Sequence, residues 1–460
     1  MKIVLTGATG FIGTHLVKSL AKDGHELVVL SRNPDRVMDK LNVPLKAYAW
    51  DSTQPVPQEA LVGADAIIHL AGEGIAEKRW SKAQKEKILA TRVEGTRHLV
   101  ESIQKLPGKK PSIFVGASAI GFYGPRGDET LTESSSAGEG YLSHVCQAWE
   151  KEVSPLEGMG LRTCLIRIGI VLGAEGGALK KMLPIFKTGM AGPLGNGKQW
   201  MSWIHVQDLV SLLKFAVTSE KAKGVLNGTA PEPVTNAEFT KVLASTLHRP
   251  AFLPAPAIAI KLAMGELATL VLDGQKVLPQ RTREVGFTWS FPKLDAALAD
   301  ILKKKAPQLA GKKELAVEQW LPIPVDEVFP FFSNEKNLEA LTPGWLHFNV
   351  VGKSSEKIQE GTLIDYQLKI RGIPVRWRSR IDRWEPNKAF VDVQVKGPYS
   401  YWHHTHEFEA LGNGTLIKDI IRYSVPGGPL SVFLEPFVAR DVRQIFNYRR
   451  KAISQLLLKK

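Results

Sequence analysis

Cysteine is almost absent from this chain: Cys146 and Cys164 are the only two in 460 residues. That excludes a disulfide framework and is the usage expected in a reducing cytoplasm. Long apolar runs are missing as well. The N-terminal run at 3–5 stops at Thr6 and Gly7 without a small-residue cleavage site, and the later stretch 255–272 carries Lys261, Gly265 and Glu266. The sequence therefore predicts no targeting segment and no transmembrane segment. Nor is charge of one sign concentrated anywhere. The formal net charge is +14, but the excess is spread over both parts of the chain without a basic tail, so nucleic acid is not expected as a partner. A hydrophobic content of 44% excludes disorder, and 460 residues exceed what one core usually encloses, so at least two domains are predicted.

What is present in the first part is an alternation of short β-branched runs with longer helical patterns. It predicts an α/β, Rossmann-type doubly wound parallel sheet with a small C-terminal lobe. Strands are read at 3–6, 27–31, 66–71, 112–118 and 163–172, with a helix over 80–106 on which Ile88, Val93, Leu99, Val100 and Ile103 recur at helical spacing. The polar stretch 303–311, holding Pro307 and Gly311, reads as a linker between domains 1–302 and 312–460. Beyond it the period changes to two. Ile364, Tyr366, Leu368 and Ile370 share one face, as do Val375, Trp377, Ser379 and Ile381, while Arg376, Arg378 and Arg380 take the other. A closing helix over 430–458 completes an α+β domain, its predicted apolar stripe being Phe433, Phe437, Ile445, Ile453 and Leu457.

The segment TGATGFIG, residues 6–13, lies between a strand and a helix. Gly7 suits a tight turn, Gly10 a close approach of backbone to a pyrophosphate, and Gly13 close helix-to-strand packing. The second strand ends in LSRN, offering Ser31 and Arg32 where a cofactor without a 2′-phosphate would meet a carboxylate, with Arg36 one turn on. A guanidinium pairs well with a phosphate dianion, so NADP(H) is the predicted cofactor.

Together with Asp51, HLAGE at 69–73, the Ser118-bearing GASAIGFYG, RIGIVLG at 167–173 and WIHVQDL at 203–209, this glycine pattern resembles the extended short-chain dehydrogenase/reductase superfamily. The stretch from Gly274 is similar to the C-terminal signature, here 274–302, of its atypical sugar-nucleotide-epimerase-like branch. The resemblance implies that Gly7, Gly10, Phe11, Ile12, Gly13, Ser31, Arg32, Asp51, Leu70, Ala71 and Gly72 line the cofactor. The superfamily's chemistry uses a Tyr, a Lys four residues later, and a Ser or Thr on the preceding strand end. Ser118 fits that last place. Counting from Tyr141 puts Val145 at the lysine position; a shift of one puts Leu142 and Cys146 in the two places and aligns Glu150 with a frequent family Glu. Neither frame holds a lysine, so the usual acid/base pair is missing and Ser118 and Tyr141 are the catalytic candidates. His144 and Glu73 are substitutes with equally plain structural explanations, and Cys146 reads as a small buried residue. The expected function is an NADP(H)-dependent oxidoreductase or epimerase-like enzyme acting on a small, apolar substrate. The alternative is a non-catalytic NADPH-sensing protein with a lipid- or partner-binding second domain.

Residues 312–460 resemble the START-like helix-grip (SRPBCC) superfamily of polyketide cyclase-like and lipid-transfer proteins, in element order and in phrases such as GPYSYWHHTHEFEAL at 397–411. The resemblance implies a curved sheet around a last helix with an apolar ligand in a cavity between them. Tyr366, Trp377, Trp402 and Phe408 are the lining candidates, simple core packing being the competing reading. His404 and His406 share a strand face, but no third ligand accompanies them in the local spacing, so a hydrogen-bonded pair is expected and no metal.

Overall fold

The computed structural model describes residues 1–302, 313–427 and 431–458; the linker read at 303–311 lies outside the described residues. The chain divides into two compact units, Met1–Leu41 with Leu45–Lys303, and Asn42–Pro44 with Lys304–Lys460.

In the first unit β1 (Lys2–Thr6), β2 (Glu26–Ser31), β3 (Lys46–Ala49), β4 (Ala66–His69), β5 (Ile113–Ala119), β6 (Arg162–Ile168) and β7 (Gly224–Gly228) form one sheet in the order β7-β6-β5-β4-β1-β2-β3. Every pairing is parallel. Helices cover such sheets on both faces, which is why runs like Ile3, Val4 and Leu5 are wholly buried. The strand order reverses between β1 and β4, and the crevice at such a reversal is where these folds place ligands. The run read as one strand over 163–172 is broken. Gly169 ends β6, because a side chain there would lie 2.4 Å from the Ser202 carbonyl oxygen, and Ile170–Leu172 pairs separately with Trp203–His205. The predicted helix over 80–106 spans Lys82–Gln104, with the Ser81 hydroxyl accepting from the Gln84 amide at 3.2 Å. We call it α2, after α1 (Phe11–Lys22), and the helix Tyr141–Lys151 α3.

The second unit is an antiparallel sheet of β8 (Lys313–Leu321), β9 (Asn349–Lys353), β10 (Leu363–Ile370), β11 (Ile373–Glu385), β12 (Ala389–Lys396), β13 (Tyr401–Leu411) and β14 (Gly414–Ser424), in the order β8-β14-β13-β12-β11-β10-β9. The predicted alternation holds: Ile364, Tyr366 and Leu368 are buried while Arg376, Arg378 and Arg380 are exposed. Two bulges interrupt the pairing of β11 with β12. The register steps between Arg378↔Lys396 and Ser379↔Gln394, leaving Val395 extra, and between Ile381↔Asp392 and Arg383↔Val391, leaving Asp382 extra. Each bends its strand and adds twist. The closing helix, Ser431–Leu457, departs from the predicted stripe. Phe433 and Phe437 are 74% and 55% exposed, whereas Val442, Phe446 and Ile453 are buried and Val438 is half-buried. One residue turns a helix by about 100°, and the seam runs through Val438 rather than Phe437. Among the described residues no helix is long and apolar enough to cross a membrane.

Candidate functional site

The first concentration of predicted residues lies where β1 and β4 end. Gly7 has φ +69°, and a Cβ there would sit 2.7 Å from the carbonyl carbon and oxygen of Leu70. A Cβ on Gly13 would sit 2.2 Å from the Gly7 oxygen. Glycine is thus required by close backbone approach, which brings Gly7 beside Leu70 and Ala71 and packs Gly10 and Gly13 on the Gly7 carbonyl. The following helix α1 has no side-chain cap and no acidic residue in its first turn. Its leading N–H groups and positive dipole end are therefore available to an anion. The Phe11 ring packs on the glycine-bearing stretch 173–177, where a Cβ on Gly176 would lie 2.3 Å from it, and Ile12 is half-buried. At the neighbouring strand end, Ser31 accepts a hydrogen bond from the Asn33 amide at 3.2 Å, and Arg32 and Arg36 are exposed. Asp51, just past β3, accepts from the Thr53 hydroxyl at 2.6 Å and amide at 2.9 Å. Those bonds lower its pKa, and Arg32 adds to the effect. All these residues follow the C-terminal ends of parallel strands.

Sequence reasoning missed what fixes this loop. The Thr6 hydroxyl oxygen accepts from the amides of Leu70 and Ala71 at 3.1 and 3.0 Å, so its proton is given to His69 Nδ1, 2.8 Å away. His69 Nε2 must then carry the hydrogen, which it donates to Thr96 Oγ1 at 3.0 Å. Thr96 also accepts from Trp149 Nε1 and donates to the Arg92 carbonyl. Burial pushes the His69 pKa down to about 4, keeping the ring in this neutral tautomer.

The structure does not bring Ser118 and Tyr141 to common partners. Ser118, at the end of β5, is buried and donates to Glu150 Oε1 at 2.6 Å. Arg167 grips that carboxylate with two bonds of 2.9 and 2.8 Å, lies 3.3 Å over the Phe122 ring, and donates to the Tyr123 hydroxyl. Tyr141 donates instead to the Lys85 carbonyl on α2 at 2.7 Å and packs on Trp80. Burial raises its pKa, so the phenol stays protonated. Leu142 and Cys146 of α3 approach the segment after β5, 3.2 and 3.9 Å from where a Gly121 Cβ would stand, and Ser143 between them donates to the Phe122 carbonyl at 2.7 Å. The shifted frame therefore describes the local geometry. Burial and the nearby Glu150 carboxylate push the Cys146 thiol up to about 11. Glu73 pairs with Lys87 at 3.3 Å. Arg92 donates to the Glu73 carbonyl and sits 5.1 Å over the Trp149 ring.

In the second unit a cavity of about 360 Å³ is lined by Tyr366, Trp377 and Trp402 among others. Phe408 is not on its wall: it is buried in the aromatic core with Phe329 and Phe332, the centroids 5.2 Å from each. Trp377 and Trp402 meet edge to face at 5.1 Å. The expectation that His404 and His406 lack a third companion is corrected. Asp392 on β12 lies 3.3 Å from both, and Asp419 on β14 lies 3.1 and 2.8 Å from them. Burial opposes charge on both carboxyls, yet the adjacent imidazoles hold them well below the ordinary carboxylate range.

Comparison with known proteins places these features. Residues 3–227 match the NAD dependent epimerase/dehydratase family, 255–301 a domain of unknown function, and 321–447 the polyketide cyclase / dehydrase and lipid transport family. The chain is 41% identical over 307 residues to the chloroplastic epimerase family protein SDR39U1 homolog of Arabidopsis thaliana, covering 66% of this chain and 87% of the relative. It is 38% identical to the Bacillus subtilis epimerase family protein YfhF, covering 66% and 98%. The crystal structure of human epimerase family protein SDR39U1 (isoform 2) with NADPH superimposes with a TM-score of 0.60 at 36% identity, covering 66% of this chain and 99% of that one. The chain therefore belongs to the epimerase family, and carries behind that region a polyketide cyclase / dehydrase and lipid transport domain.

Proposed function

We propose that residues 1–302 bind NADP(H) and reduce or epimerise a small molecule, and that residues 312–460 hold an apolar ligand. The observation that carries the cofactor reading is the exposed Arg32 at the end of β2, in a segment LSRN without a carboxylate, beside the uncapped start of α1. The NADPH of the human relative supports it. Gly7, Gly10, Gly13, Phe11, Ile12, Leu70, Ala71 and Gly72 would surround the pyrophosphate and nicotinamide side, Ser31, Arg32 and Asp51 the adenosine side. When bound, the cofactor supplies the hydride. The chain's own part is to hold a proton. Tyr141, kept protonated by burial, is suited to donate and not to abstract, and Ser118 would orient the substrate oxygen.

A second reading, an NADPH sensor without turnover, draws support from one observation. The Ser118 proton is already committed to Glu150, and the lysine position is filled by Val145 counting from Tyr141 and by Cys146, a high-pKa thiol, in the shifted frame. Mass spectrometry of small molecules copurifying with the chain separates the two readings. The cofactor claim is tested by fluorescence titration. NADPH should bind well ahead of NADH, and Arg32→Ala should weaken NADPH by roughly 10- to 150-fold, the worth of a charged hydrogen bond. Equal affinities for the two cofactors would overturn it.

A further inference from the structure

The alternation of β13 places His404 and His406 on one face, and the sheet register sets Asp392 opposite His404 and Asp419 opposite His406. Three adjacent strands thus deliver two imidazoles and two carboxylates to one buried spot. The contacts divide into two sides. Asp392 Oδ2 lies 3.3 Å from His404 Nδ1 and 3.3 Å from His406 Nε2. On the other side Asp419 Oδ1 lies 3.1 Å from His404 Nε2 and 2.8 Å from His406 Nδ1. Each ring therefore has a carboxylate oxygen at both nitrogens.

Protons alone satisfy this arrangement poorly. Four nitrogen-to-carboxylate contacts need four N–H groups, hence two imidazolium rings, and the ring centroids are only 3.8 Å apart in a buried site. One ring must stay neutral and turn a lone pair toward a carboxylate oxygen. His406 Nδ1 is indeed buried without a hydrogen-bond partner despite its 2.8 Å approach to Asp419.

We propose that Asp392, His404 and His406 bind a divalent transition-metal ion, with Asp419 orienting both imidazoles from behind. The three ligand atoms lie within 4.8 Å of one another. An ion on that side takes the lone pairs of His404 Nδ1 and His406 Nε2, so both outer nitrogens become N–H donors to Asp419. A carboxylate behind a ligating histidine is the recurrent second layer of metal sites. Two neutral imidazoles, two carboxylates and one divalent cation also sum to zero charge, which a buried site favours. Two nitrogens and one oxygen suit zinc, iron or cobalt rather than calcium or magnesium.

The open coordination positions face the cavity. Asp392, His404 and His406 line it and Asp419 does not. Arg449 lines it too, with Nε buried and unpartnered. A cation and a guanidinium beside Tyr366, Trp377 and Trp402 fit an apolar or aromatic molecule bearing an anionic oxygen, a carboxylate or an enolate. This inference concerns the second unit and is independent of the nucleotide site.

The experiment uses the full chain, stripped by chelator and titrated with Co²⁺. One equivalent should bind and produce visible d–d absorption, and Zn²⁺ should bleach it. His404→Gln, His406→Gln and Asp392→Asn should abolish the bands. Asp419→Asn should weaken binding by about 10- to 100-fold although it does not touch the ion. Because a variant can misfold, X-ray absorption of the zinc-loaded unmodified chain counts the ligands directly, and two imidazoles are expected. A chain that takes up no Co²⁺ or Zn²⁺ at a saturable site overturns the proposal. So does a metal shell without imidazole, or one retained in His404→Gln with His406→Gln.

Discussion

Replacing Glu150 by Gln keeps its shape and removes its charge, leaving Arg167 as a cation in a place where its side chain is only 5% exposed. The guanidinium there is held by two bonds to that carboxylate and lies against Phe122, so water cannot take over the lost charge pairing. Removing one partner of a buried ion pair costs about 3–5 kcal/mol. With each kcal/mol worth some 2–4 °C in a unit of this size, Glu150→Gln should lower the melting temperature by roughly 6–20 °C. The double change Glu150→Met with Arg167→Met should recover most of that, since no charge is left stranded. What remains is about 1 kcal/mol for the Ser118 hydroxyl, which loses its acceptor, and adding Ser118→Ala should return it. Thermal melts of the four proteins by circular dichroism complete the comparison. A single variant that melts within 1 °C or so of the parent would refute the reasoning, as would a double variant as unstable as the single one.

Two further outcomes are expected. His69 titrates near 4 in the folded chain against about 6.5 unfolded, so the unfolded state takes up the proton first as pH falls. Stability present above pH 6.5 is then lost progressively, about 2 kcal/mol by pH 5, and His69→Gln should flatten the melting temperature against pH between those values; parallel curves would count against the buried neutral ring. In the second unit, Ser379 lines the cavity and is buried, so Ser379→Trp should fill it and abolish binding of a fluorescent fatty acid or polycyclic probe by the full chain. Undiminished probe binding in that variant would place the ligand elsewhere.

The features legible from sequence were those set by local period or local backbone need. The two-residue alternation put Tyr366 and Trp377 on the cavity face and the arginines outside, and the glycines of 6–13 marked a turn that only a close backbone approach demands. What escaped was set by pairing across the sheet. Asp392 stands twelve positions from His404 in the chain yet opposite it in the register, so no local spacing reveals the cluster. Helix rotation hid the rest. Whether Tyr141 or Leu142 faces β5, and whether Phe437 or Val438 faces the sheet, turns on about 100°, less than an apolar pattern resolves. Phe408 has the right parity but lies beyond the cavity's end, in the solid core.

The paired bulges of β11 and β12 bear on how this hairpin can change in length during evolution. In a regular strand, losing one residue turns every later side chain to the opposite face. Deleting any residue between Ile373 and Ile381 would thus throw cavity-lining rings outward. Asp382 is different, because it and Arg383 together stand against Val391. Its removal would leave Ile381 and Trp384 facing inward and the pairing beyond them intact, at the cost of some curvature. Val395 holds the same place on the partner strand, so these two positions are where the sheet can shorten while its binding face survives.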